Sequence, residues 1–121
     1  MERVSHQDVI VLLELRKQVS TAIQANIQVT RDICQNPSKG SSHALLEASV
    51  EQVVNAYDTA CLIYLSGGVD KELFKTSFKK EILELREGQY GFEYSAESHQ
   101  SIFLVYAEWM CKSKDPKDTT L

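Results

Sequence analysis

SHQDVIVLLELRKQVSTAIQANIQVTRDICQ, residues 5–35, is the stretch that decides the fold. At about 100° per residue, Val9, Val11, Leu12, Leu13, Leu15, Val19, Ala22, Ile23, Ile27, Val29, Ile33 and Cys34 fall within an arc of roughly 200°. A surface helix needs about half that width. A helix of this kind is expected to be covered from two sides, by other helices of its own chain or by a partner. Ser5 with Asp8 three residues later is a capping box in which Asp replaces the usual Glu or Gln. The helix stops near Gln35, because Pro37 biases Asn36 out of the helical region.

The loop NPSKGSS, residues 36–42, leads to a second helix from Ser42 to Ser66. Leu46, Val50, Val53, Val54, Tyr57, Ala60, Cys61 and Tyr64 form its inward face. Glu51, Gln52, Asn55, Asp58 and Thr59 lie opposite. Gly67-Gly68 is a strong stop signal. Two long helices on a short connection pack as an antiparallel hairpin.

A third helix starts at Asp70, a good N-cap, with Val69 and Phe74 at the positions of a hydrophobic staple. Its stripe is Leu73, Phe74, Phe78, Ile82 and Leu85, and it breaks at Gly88. A fourth, from Ser95 to Lys112, carries Ile102, Val105, Tyr106 and Trp109, flanked by Phe103 and Met110. The expected fold is all-α: one domain over residues 1–121, a four-helix bundle-like arrangement built on the long antiparallel hairpin. The polar tail, residues 113–121, is expected to fray.

The 121 residues suit one compact domain with a real core. A formal net charge of −4 gives phosphate little to bind, since nucleic-acid affinity needs displaced counterions and hence Lys and Arg patches. No nucleic acid is expected as a partner. Three cysteines, Cys34, Cys61 and Cys111, without a CxxC pair, argue against a disulfide framework. Cys34 and Cys61 read as small hydrophobes on apolar faces. The polar N-terminus does not resemble a signal peptide, and no window approaches the roughly 20 apolar residues of a membrane span. The expectation is a cytoplasmic protein with no membrane association.

No motif for nucleophilic catalysis, phosphate cradling or dinucleotide binding occurs. Ser66-Gly67-Gly68 follows a helix rather than a strand and reads as a helix stop. His6, His43 and His99 read as solvated or capping side chains. His43 and Glu47 are four apart, but no facing Glu-x-x-His pairs support a metal. No catalytic residue, metal or cofactor is therefore expected. Arg16, Asn26 and Thr30 interrupt the first helix's apolar arc. Asn26 and Thr30 are expected to bond each other or helix two, as register-fixing contacts, and Arg16 to extend towards solvent. Lys71, Lys75 and Lys79 form a basic line with Lys80 and Arg86 near it. Glu72, Glu81, Glu84 and Glu87 interleave, so it reads as a solvated face.

The segment GQYGFEY, residues 88–94, brings Tyr90, Phe92 and Tyr94 together on a glycine-bounded loop. Tyrosine buries area while keeping a wet hydroxyl, so exposed aromatics of this kind mark partner sites. The competing reading is that Phe92 plugs the end of the bundle.

The run NAYDTACLIYLSGGVDKELFKTSFKKEILEL, followed by Tyr106 and Trp109, resembles small uncharacterised bacterial helical domains, some of which sit behind transmembrane helices. The resemblance covers about half of the chain, is mostly a packing pattern, and brings no catalytic residue with it. A second similarity is to HEPN helical domains, in which a YDxA-like helix precedes a glycine-ended turn. Those nucleases place His four to six residues after an Arg. Here Arg86 has no His before His99, so the resemblance implies the helical scaffold without ribonuclease chemistry.

Taken together, these features lead us to expect a non-enzymatic interaction or regulatory module of bacterial or phage origin. It would bind a protein partner through Tyr90, Phe92 and Tyr94. The width of the first helix's arc also points to a homodimer through residues 5–35. The alternative is a degenerate nucleic-acid-associated helical domain or a metal-dependent hydrolase.

Overall fold

The computed structural model describes residues 5–36, 42–87 and 99–113. Among the described residues, four helices run up, down, up and down: α1 His6–Gln35, α2 Ser42–Leu65, α3 Lys71–Arg86 and α4 Gln100–Ser113. The all-α architecture and the antiparallel hairpin of α1 and α2 are as expected. The fourth helix is described from Gln100 onwards, and residues 95–98 of its expected first turn lie outside the described residues, as do residues 114–121 of the tail.

Local sequence explains the helix ends. Ser5 Oγ accepts the Asp8 N–H at 3.0 Å, and Asp8 Oδ2 accepts the Ser5 N–H at 3.2 Å, closing the capping box of α1. The Ser5 hydroxyl also donates to Asp8, which holds that carboxyl below its usual range. At the end of α2, Gly68 N–H donates to Ile63 O at 2.9 Å and Gly67 N–H to Tyr64 O at 3.2 Å. These two bonds form a Schellman motif, and Gly67 occupies its left-handed position at φ 83°. Gly68 is needed for a different reason, because a Cβ there would sit 2.9 Å from the Ile63 side chain. Asp70 then caps α3 by accepting the Leu73 N–H at 2.9 Å, with Val69 and Phe74 both buried behind it.

Helix α2 is the centre of the molecule. It packs on α1, α3 and α4, whereas α1 packs extensively on α2 alone. Between α2, α3 and α4 runs an aromatic column. Phe78 stacks on Phe74 at 4.7 Å, Phe74 stacks on Tyr64 at 4.8 Å, and Trp109 meets Tyr64 edge-on at 5.8 Å. Ile82, Ile102 and Val105 close the column, each fully buried.

Within its own chain, only part of the arc of α1 is covered. Leu15 and Val19 are buried, and Val11, Leu12 and Ile23 pack against the core. Val9, Leu13, Ile27 and Cys34 are exposed instead. A single extensive helix neighbour covers a strip of roughly 120° at most, and the apolar arc is wider than that.

Candidate functional site

The uncovered part of α1 carries Val9, Ile10 and Leu13 near its start and Ile27 two heptads further on, with Lys17, Ser20 and Gln24 between. Exposure is 39% at Val9, 47% at Ile10, 61% at Leu13 and 37% at Ile27. At helical spacing these residues share a stripe on the side turned away from α2. Exposed apolar side chains that share a face mark interaction sites more often than scattered ones do.

Two polar ties hold α1 so that this stripe is presented. Asn26 Nδ2 donates to Ser49 Oγ of α2 at 2.9 Å, and Thr30 Oγ1 donates to the Asn26 carbonyl at 2.9 Å. Both expected bonding modes of this pair occur. Arg16 departs from expectation. Rather than extending into solvent, Nη1 donates to Glu81 Oε2 of α3 at 2.7 Å, and the guanidinium lies 4.6 Å above the Phe78 ring. Tyr57 of α2 donates its hydroxyl to the other oxygen of the same carboxylate. Glu81 thus joins α1, α2 and α3 at one point.

A second polar line runs between α2 and α4. Asn55 Oδ1 lies 2.8 Å from His99 Nε2, and Asp58 Oδ1 accepts the Ile102 N–H at 3.0 Å. His99 is therefore buried rather than solvated, and Asn55 and Asp58, exposed and half-buried, each bond to the start of α4. Asp58 supplies from another helix the cap that the start of α4 needs. Further along, Trp109 Nε1–H donates to Tyr64 OH at 3.1 Å, and Tyr64 OH donates to Glu108 at 2.7 Å.

Burial, reinforced by the Glu108 carboxylate, pushes the Tyr64 phenol up to about 12. Its value in an unfolded chain is about 10. The folded state therefore keeps this proton where the unfolded chain has lost it. The resulting stability is complete below about pH 10 and declines as pH rises towards the folded value. Tyr64→Phe should flatten the loss of urea resistance between about pH 10 and 12, and lower stability at neutral pH by about 1 kcal/mol. Parallel pH profiles of variant and parent would contradict this.

The remaining candidates are dispersed. His6 and His43 are exposed, and His43 pairs with Glu47 of its own helix at 3.3 Å. Among the described residues, no three His, Cys, Asp or Glu side chains are grouped to hold a metal ion. Cys61 is buried, and burial with Asp58 nearby drives its thiol far up, which keeps it from acting as a nucleophile. Lys71, exposed at the start of the lysine line, lies 5.9 Å from the Tyr64 ring. Lys75, Lys79 and Lys80 line a shallow depression on α3 with Glu72, Thr76 and Leu83.

Arg86 stacks over Phe103 at 5.3 Å and Tyr106 at 5.2 Å. Tyr90, Phe92 and Tyr94 lie outside the described residues. No described helix is long and apolar enough to cross a membrane. The α1 surface could not be isolated from sequence, because covered and uncovered apolar residues share one periodic pattern. Comparison with protein-family models, curated proteins and solved structures finds no match to this chain.

Proposed function

We propose that the chain is a non-enzymatic interaction module that binds a protein through the outer stripe of α1. The observation that carries this reading is the line of exposed Val9, Leu13 and Ile27 on a helix tied down at Arg16 and Asn26. Rigid apolar side chains on a regular element bind without a large ordering cost. The polar groups at the helix junctions support the same reading, because they bond across helices rather than converge on a cavity. We propose a bacterial or phage origin as well, on the resemblance of residues 53–87.

The test is Leu13→Glu combined with Ile27→Glu. Substitutions at exposed positions change stability by about 0.5 kcal/mol or less, so melting should barely move. An anchor worth about 2 kcal/mol corresponds to roughly thirtyfold in affinity, so association through the stripe should be lost. The measurement is quantitative capture of proteins from the native host on the immobilised chain, beside a melting curve. Unchanged capture by a well-folded double variant would refute the reading. Tyr90, Phe92 and Tyr94 are proposed as an additional contact. Tyr90→Ala with Tyr94→Ala in the same assay should lower capture without lowering the melting temperature.

A further inference from the structure

We infer that α1 is a releasable arm. It undocks from the bundle as a unit while α2, α3 and α4 stay folded, and the Arg16–Glu81 ion pair is its latch. The released form is a minor population, so the docked arm presents its outer side as described.

The make-up of the core carries this. Among the described residues, α1 supplies Leu15 and Val19 to a buried core of fifteen side chains. It contains no aromatic residue. The column of Tyr64, Phe74, Phe78 and Trp109 is built from α2, α3 and α4 and closes without it. An element that shares few side chains with the main core can open apart from it.

The seam with α2 has the same character. Ser49, Val53, Ala56, Ala60 and Ile63 share one face of α2 at helical spacing, and Ser49 is bonded to Asn26 of α1. The small side chains on this face let the helices lie close but give little apolar area to lose on separation. Undocking bares this face, with Val53 and Ile63 as its larger apolar side chains.

The latch reaches past α2. Arg16 Nη1 meets Glu81 Oε2 of α3 at 2.7 Å, and its guanidinium lies 4.6 Å from the Phe78 ring. Both contacts break when α1 leaves. Tyr57 of α2 holds the other Glu81 oxygen from within the remaining three helices. Glu81 therefore stays in position and can take Arg16 back. Both charged side chains are partly exposed, so salt weakens the latch.

Native-state hydrogen exchange of the full chain tests this, read at central amides so that fraying ends do not contribute. Leu15, Val19 and Ile23 should exchange at least about tenfold faster than Val54, Phe78, Ile82, Ile102 and Val105. Opening of α1 should depend on urea with a smaller slope than opening of the other helices, because release exposes less surface than global unfolding. Raising sodium chloride from about 0.1 M to about 1 M should speed α1 about threefold relative to α3 and α4. In Glu81→Gln, α1 should exchange faster than in the parent and lose that salt response.

One common rate and one common urea slope for all four helices would show that they unfold together, and would overturn the inference. Exchange at Leu15 and Val19 that ignores urea would mean local fluctuation rather than release, and would overturn it too. A salt response that persists in Glu81→Gln would overturn the assignment of the latch.

Discussion

Trp109→Ala is expected to lower folding stability by about 3–5 kcal/mol, the range for removing a buried aromatic from a packed core. Total stability of a domain this size is about 5–15 kcal/mol, so the variant should be close to unfolding at physiological temperature. The reason is positional. Trp109 is 1% exposed, lies against Tyr64 and 6.2 Å from Phe74, and donates its indole N–H to Tyr64. Its removal opens a cavity where α2, α3 and α4 meet and takes away the donor that orients the Tyr64 hydroxyl. Trp109→Phe narrows the comparison, because it keeps most of the packing while losing the hydrogen bond and part of the ring volume. It should cost about 1–2 kcal/mol. Because Trp109 is the only tryptophan, unfolding is best followed by far-ultraviolet circular dichroism in urea. A loss below about 1 kcal/mol for Trp109→Ala would show that the aromatic column is not the core.

Glu81→Ala is expected to cost about 2–3 kcal/mol, and to do so mainly at α1. The carboxylate accepts from Arg16 on one oxygen and from Tyr57 on the other. Deleting it removes the shared acceptor of three helices and leaves the cation without its ion-pair partner. Arg16 and Glu81 are partly exposed, so the effect is smaller than for a fully buried pair. Glu81→Gln retains an acceptor and should recover part of the loss. A double-mutant cycle with Arg16→Ala should give a coupling of about 1–2 kcal/mol. Hydrogen exchange along α1 should rise in Glu81→Ala before the rest of the bundle loosens. Equal loosening of α4 and α1 would contradict the role assigned to Glu81.

The two substitutions differ in how far sequence exposes them. Trp109, Tyr64, Phe74 and Phe78 lie on the apolar faces that helical periodicity marks out, and all four are buried. Periodicity is local: it depends on residues one turn apart, so a single chain carries it openly. The caps at Ser5 and Asp70 and the stop at Gly67 are legible for the same reason, since each acts within about four residues. Glu81 has no such signature. It lies among lysines on a helix that reads as solvated, and its partners are 65 and 24 positions away. Asn55, Asp58 and His99 are similar, because each looks like surface until α4 is laid along α2.

Sequence alone determined that the chain is all-α, where α1, α2 and α3 begin and end, and which aromatic residues form the core. These follow from side-chain periodicity, capping and backbone freedom, which are properties of neighbouring residues. Tertiary structure alone decided which part of the α1 arc is covered, and that Arg16, Glu81, Asn55, Asp58 and His99 join helices as Asn26 does. Both depend on how many helices can reach a given face. With α2 at the centre and α1 packed extensively on it alone, an arc wide enough for two neighbours is left with one side facing water.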